Sequence, residues 1–363
     1  MSNFDIIPLK DWGFNITKPF IISGPCSCET EEQMMETAER LKNQGITALR
    51  AGIWKPRTRP GMFEGIGKDG LKWLVQAAKN VGLPATVEVA TAQHVEDALN
   101  AGIDILWVGA RTTVNPFSVQ EVADALKGVD IPVMVKNPIN PDLQLWLGGI
   151  ERIHVAGIKR LGAIHRGFSS YEKTKYRNKP MWELPIELRR LHPNIPIIVD
   201  PSHICGKRDL IQSVAQKALD LDFDGLMIES HRDPDNAWSD AAQQVTPERL
   251  GEILSSLVVR HSALDYEAED NLATLRQQID RIDNYMLEIM GERMFIARQI
   301  GEYKRDNGIT ILQTNRWDEI INTRAENAAK KKLSREFVID MMEAIHQESI
   351  RHQTKIMNDI LAE

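Results

Sequence analysis

The chain has 363 residues, 42% of them hydrophobic and 26% charged, with a formal net charge of −7 and three cysteines. Its length suggests two domains or one of unusual size, its acidic balance leaves no nucleic-acid footprint, and no run approaches the roughly 18 apolar residues of a membrane span. The mixed start MSNFDIIPLKDWGF argues against a signal peptide, and an odd cysteine count without framework spacing fits a reducing cytoplasm.

Short apolar runs alternate with amphipathic stretches up to residue 260. The runs cover 20–26, 46–54, 85–90, 104–110, 131–137, 163–168, 195–203 and 225–231. Each is followed by a helix-like segment, such as EEQMMETAERLKNQG after the first and TPERLGEILSSLV after the last. Gly45 with Ile46, Gly102 with Ile103, and Ile131 with Pro132 mark helix ends running into strands. Strands alternating with helices imply parallel βαβ units covered on both faces. Eight units in roughly 250 residues predict a closed (β/α)8 barrel over 1–260, with an open doubly wound sheet as the alternative.

Beyond residue 260 the rhythm changes. HSALDYEAEDN (261–271) is polar and acidic and reads as a linker. From Leu272 an apolar seam recurs at 272, 275, 279, 282, 286 and 289, then at 296, 300 and 303. This three-and-four spacing predicts a long helix in a bundle or coiled coil. Arg293 takes the seam position between 289 and 296. A shorter helix is expected from about Thr314 to Lys332 and a third from Ser334 to Leu361, giving a separate all-α domain over 272–363.

Barrel enzymes work at the carboxyl ends of their strands. Cys26 is expected to end strand 1, His203 strand 7 and Glu229 strand 8, with Asp240 in the following loop. Singly, Cys26 reads as a small buried hydrophobe and His203 as a satisfied loop histidine. Together, on strands that adjoin when a barrel closes, the four suit one divalent cation. Their mixed soft and hard donors favour iron, zinc, cobalt or manganese over magnesium alone. A second set is cationic. Arg50 and Lys55 close strand 2, Arg111 follows strand 4, Lys136 ends strand 5 and Arg166 ends strand 6. Five cations at one mouth repel one another unless anions lie between them, and guanidinium forks suit phosphate and carboxylate. With Arg57 and Thr58 of KPRT added, the mouth has enough donors for two phosphorylated substrates beside a metal.

GPCS (24–27), LRAGIWKPRT (49–58), GARTT (109–113), KN (136–137), IHRG (164–167), DPSH (200–203), IESH (228–231) and Asp240 resemble 3-deoxy-D-arabino-heptulosonate 7-phosphate (DAHP) synthase in its short form. The resemblance spans about 5–260. It implies that Cys26, His203, Glu229 and Asp240 bind a divalent metal. It also implies that Arg111, Lys136 and Arg166 hold the phosphoenolpyruvate phosphate, with Arg50 and Lys55 near its carboxylate. Arg57 and Thr58 would take the phosphate of erythrose 4-phosphate, and Lys55 is the candidate proton donor to the new alkoxide. Octulosonate-forming relatives carry an Asn-containing loop in place of KPRT, so the four-carbon acceptor is expected; an octulosonate- or sialate-type synthase is the alternative.

In the tail, a bare guanidinium at a seam position requires a partner. Lys304 lies eleven residues past Arg293, about three turns along nearly the same face. Arg316 begins the second helix, and Ser349 and Gln353 share one face of the third. These describe a polar pocket for a small dianion. Arg276 lies 28 residues before Lys304, about 42 Å along a continuous helix, so unless the helix breaks it either plays no part or reaches the pocket of a second chain in an intertwined dimer. LRQQID (275–280), GERMFIARQIGEYK (291–304), QTNR (313–316) and ESIRHQ (348–353) resemble the all-helical chorismate mutase family over about 270–358. That resemblance implies an intertwined homodimer, possibly a tetramer, in which Arg276 of one chain and Arg293 of the other grip the carboxylates of chorismate. Lys304 and Gln353 would hydrogen-bond the ether oxygen, with Gln313, Arg316 and Ser349 completing the shell. Gln353 in place of an acid predicts turnover that does not fall at neutral pH. Trp317 stands where the family usually has a glutamate, which leaves a second reading of the domain as a non-catalytic sensor or dimerisation module. The expected protein is a cytoplasmic bifunctional enzyme of aromatic biosynthesis, with feedback from the helical domain suggested by the fusion itself.

Overall fold

A computed structural model describes residues 4–16, 18–55, 61, 63–260, 266–312, 319, 320, 323, 324, 326–328 and 330–358. The chain divides into two compact units, Met1–Ser262 and Ala263–Glu363.

In the first unit, eight parallel strands close in sequence order. They are β1 (Phe20–Gly24), β2 (Ala48–Ala51), β3 (Ala85–Val89), β4 (Ile105–Val108), β5 (Val133–Lys136), β6 (Leu161–His165), β7 (Ile197–Val199) and β8 (Gly225–Glu229). Closure comes from β1 pairing with β8, with Gly24 opposite Glu229. The open-sheet alternative is therefore excluded. Helices α1 (Glu31–Leu41), α2 (Lys68–Val81), α3 (Ala92–Ala101), α4 (Ala110–Thr113), α5 (Pro116–Ala125), α6 (Leu143–Val155), α7 (Glu183–Leu191), α8 (Pro201–Cys205), α9 (Ile211–Asp220) and α10 (Pro247–Ser256) follow the strands.

Two cores form because strand side chains alternate between faces. Outward residues such as Leu49, Val87, Leu106, Val133 and Val199 pack beneath the helices. Inward residues Phe20, Ile22, Ile105, Trp107, Met134, Ile164, Ile198 and Met227 fill the barrel. Trp12, fully buried and donating from its indole to Ile7 O at 3.1 Å, joins this interior layer, against which Ile7, Leu9, Phe14 and Ile16 pack. The same alternation then makes the upper layer polar. Gly24 lets β1 and β2 approach there: a Cβ on it would stand 1.9 Å from Arg50 O, and its φ is +148°.

The second unit is built on helix α11 (Tyr266–Asp306), which packs against α12 (Arg335–Met357). α11 starts inside the stretch read as linker and runs unbroken for 41 residues. Ser334 caps α12, its hydroxyl accepting from Phe337 N. The two helices touch closely at Gly301, where a Cβ would meet Gln353 Cα at 3.1 Å. Much of the predicted apolar seam is uncovered within the chain: Leu275, Ile279, Ile282, Met286, Ile296 and Ile300 are all exposed. No helix among the described residues is long and apolar enough to cross a membrane.

Candidate active sites

The charged side chains at the carboxyl end of the barrel include Arg50, Lys136 and Arg166 and the carboxylates of Glu88, Asp200 and Glu229. Arg50 Nη1 donates to Glu229 Oε1 at 2.8 Å and Lys136 Nζ to Asp200 Oδ2 at 2.9 Å, all four side chains being buried. Trp107 lies beneath both cations, with the Arg50 guanidinium 5.1 Å and the Lys136 ammonium 5.6 Å from its ring centre. Its indole N–H donates to Glu88 at 3.0 Å, and Gly109 leaves room for that carboxylate. Two of the cations expected to repel one another without anions between them are balanced by the protein's own carboxylates, Arg50 by Glu229 and Lys136 by Asp200.

Arg166 is different. Its guanidinium donates to the neutral acceptors Asn178 Oδ1 (2.8 Å) and Gly167 O (3.4 Å). Burial pushes it down to about 10, with Arg177 and Arg111 adding to the effect and Asp200 opposing it. An anion beside it would relieve that penalty. Arg111 sits on the exposed side of α4. Arg57 and Thr58 lie outside the described residues.

The four candidate metal donors come together in pairs. Cys26 Sγ is 3.5 Å from Asp240 Oδ2, and His203 Nε2 is 3.8 Å from Glu229 Oε1. His203 does not end a strand as expected. Pro201 at the first helical position and the Asp200 side chain, which accepts from His203 N, turn DPSH into α8. Among the described residues no three of the donors already stand at the mutual spacing of a metal site. The Lys55 ammonium lies against Cys26 Sγ at 2.9 Å. Burial, reinforced by Glu229, pushes the Cys26 thiol up to about 11 despite Lys55. Burial also raises Asp240, but Arg177, His203 and Lys55 outweigh it and bring the carboxyl down to about 2. Glu229 is likewise held below its ordinary value by His203, Arg50 and Lys55 against the effect of burial. His203 Nδ1 lies 2.8 Å from the buried Asp200 Oδ2, which orients the ring so that Nε2 faces Glu229. A thiol beside a cation, an imidazole held through its far nitrogen and two ionised carboxylates form a donor set that fits a divalent ion.

Several participants were not anticipated from sequence. Glu88 occupies an inward position of β3 and Asp200 directly follows β7 in the same alternation, a period-two signal that was available. Arg177, which binds Asp240 Oδ1 (3.2 Å) and Gln243 Oε1 (2.7 Å), and Gln243, which donates to Glu229 (2.7 Å), come from loops with no such signal. Cys28 and Cys205 are buried thiols, as is Cys26, and none is in a disulfide.

In the helical unit a cavity of about 480 Å³ is lined by Arg293, Lys304, Ser349 and Gln353, with isoleucines and His346 around them. Arg293 donates to Ser349 Oγ at 2.5 Å, and Lys304 to Ile311 O at 2.6 Å. Burial lowers both cations from their ordinary values. Arg276 is exposed far along the same continuous helix. Gln313, Arg316 and Trp317 lie outside the described residues.

A closed parallel barrel with charged side chains gathered at the carboxyl ends of its strands has the arrangement of a (β/α)8 barrel enzyme. The chain belongs to the DAHP synthetase I family, which it matches over residues 15–264, and residues 275–354 match chorismate mutase type II. A phospho-2-dehydro-3-deoxyheptonate aldolase of Thermotoga maritima is 32% identical over 237 residues, covering 65% of this chain and 68% of that protein. A 2-dehydro-3-deoxyphosphooctonate aldolase of Paraburkholderia xenovorans is 25% identical over 284 residues, covering 70% and 95%. The crystal structure of the Thermotoga maritima DAHP synthase superposes with a TM-score of 0.62 at 30% identity, over 70% of this chain and 72% of that one.

Proposed function

We propose that the barrel condenses phosphoenolpyruvate with erythrose 4-phosphate and water, and that the helical unit rearranges chorismate to prephenate. The observation that carries the first reading is the pairing of a cationic mouth with the Cys26, His203, Glu229 and Asp240 donor set. A divalent ion bound there would act as a Lewis acid on the sugar aldehyde. Arg166, Arg111 and Lys136 hold the phosphoenolpyruvate phosphate, and Arg50 and Lys55 lie near its carboxylate. C3 of phosphoenolpyruvate forms the new bond to the aldehyde carbon. Water adds at C2, and phosphate leaves by C–O cleavage. Lys55 delivers the proton to the new alkoxide, a role suited to an ammonium already lying among the metal donors. Arg57 and Thr58 take the acceptor's phosphate.

The acceptor is tested by following phosphoenolpyruvate loss with erythrose 4-phosphate and with arabinose 5-phosphate. Preference for the five-carbon sugar would make the barrel an octulosonate-type synthase. Chelation is expected to abolish the reaction, and added manganese to restore it.

For the helical unit, the carrying observation is a cavity holding Arg293, Lys304, Ser349 and Gln353 in an apolar wall. The rearrangement needs no nucleophile or base, only a compact conformer and donors to the ether oxygen. Arg276 cannot reach its own cavity along an unbroken helix, so a second copy supplies it across the exposed seam. Chorismate consumption by the full chain, abolished in Arg293→Ala, tests this reading. No consumption by a chain that still condenses its sugar would favour the sensor or dimerisation reading that Trp317 suggests. In that case prephenate would be tested for an effect on the synthase rate.

A further inference from the structure

Gln244 lies in the loop between β8 and α10, and its side chain is completely buried. The chemistry above gives it no part. Its Oε1 accepts from Cys26 N at 2.8 Å, and its Nε2 donates to Ser239 O at 2.8 Å. One carboxamide thus joins the backbone of Cys26 to that of the residue before Asp240. A second tie runs alongside, between the buried hydroxyls of Ser27 and Ser239, the chain neighbours of the same two donors. Cys26 and Asp240 come from opposite ends of the barrel sequence, yet Sγ and Oδ2 stand 3.5 Å apart. A sulfur and an oxygen bound to one tetrahedral ion stand about 3.6 Å apart, so this pair already has the spacing of shared coordination.

Asp240 has particular need of such ties. Its φ is +44°, a left-handed backbone that residues other than glycine adopt only where the surroundings impose it. The chain beyond it is fixed as well, with Arg208 donating to Ala241 O at 2.9 Å and to Gln244 O at 2.6 Å. A glutamine suits the bridging place for a chemical reason. Cys26 N calls for an acceptor and Ser239 O for a donor, and a carboxamide supplies both without a charge. A carboxylate would offer no donor, an ammonium no acceptor, and an apolar side chain neither.

We propose that Gln244 is a positioning residue for metal binding, holding Cys26 and Asp240 at the spacing one divalent ion bridges. The inference rests on the reading of Cys26, His203, Glu229 and Asp240 as the metal donors. Gln244 acts through the backbone on either side of the ion and donates nothing to the ion itself. Without it the thiol and the carboxylate no longer share one frame, and the sulfur bond to the ion suffers first. Partners of this kind, one step behind the ligands, alter metal affinity by about ten- to hundredfold.

The test is titration of the chelator-treated full chain with cobalt chloride, read by the absorption of the cobalt–thiolate bond. Gln244→Met keeps the length of the side chain and makes neither hydrogen bond. Gln244→Asn keeps the carboxamide but is one carbon too short to span both partners, and serves should the methionine variant fold poorly. Each folded variant is expected to bind cobalt about ten- to hundredfold more weakly than the native chain, with less thiolate absorption per bound ion at saturation. Melting curves report separately what the substitution costs the fold. A folded variant with native affinity and a native spectrum overturns the inference, whatever its melting temperature. Weaker binding with an unchanged spectrum at saturation also overturns it, because the loss would then come from general loosening. A native chain that binds no cobalt, or binds it without thiolate absorption, overturns the reading of the donor set, and this inference with it.

Discussion

Trp107 holds two cations against its ring and gives its indole N–H to Glu88. Each cation–π contact is worth about 0.5–2 kcal/mol. Trp107→Leu is therefore expected to lower kcat/KM for phosphoenolpyruvate roughly ten- to hundredfold, while a melting curve shows the barrel still folded. Unchanged kinetics would make the indole mere filling. The carboxylates set the acid limit of the same unit. Asp240, Glu229 and Asp200 are all held below their ordinary values. Groups of this kind contribute stability that is fully present above the unfolded pKa of about 4 and is lost as pH falls through the folded value. For Asp240 that window runs from 3.8 down to about 2. The urea midpoint of the barrel transition is expected to drop steeply below pH 4. A midpoint equal at pH 5 and pH 3 would contradict the pairing described.

At the scale of elements, the alternation of apolar runs with amphipathic stretches was enough to read eight strands, because each run is short and bounded by turn residues. Faces were legible too, since a period of two fixes which side chains point inward. Partners were not. Arg50 and Glu229 stand 179 residues apart and Lys136 and Asp200 stand 64 apart, and no local pattern encodes a contact across a barrel. The same limit applies to His346, whose place in the cavity depends on how α12 is rotated against α11. DPSH was read as a strand end because its apolar lead-in hides a cap and a proline at the first helical turn. That element offers a test. Asp200→Asn leaves an oxygen for the cap but strands Lys136 as a buried charge, which costs about 3–5 kcal/mol. Urea unfolding should show that loss, and Lys136→Met in the same chain should recover part of it. A neutral Asp200→Asn would mean that water or a bound anion already balances the lysine.

On the whole-molecule scale, the proposed role of Arg276 would tie the helical unit's activity to association across the exposed seam of α11. Ile282 is 59% exposed within one chain, and a charge there would sit at the centre of the apolar stripe. Ile282→Asp is expected to yield monomers in sedimentation and to lose most chorismate turnover, while the sugar condensation persists. A monomer with full mutase turnover would show that Arg276 plays no part. The barrel carries a constraint of another kind. Its proposed donor set straddles the seam where the first strand meets the eighth, and 214 residues separate Cys26 from Asp240. A nascent chain therefore presents the thiol long before the last carboxylate has been synthesised. An ion cannot template the early steps of such a ring; it can only register that the ring has shut. In refolding with cobalt, the thiolate absorption band should emerge with the final phase, making the metal a clock for the end of assembly.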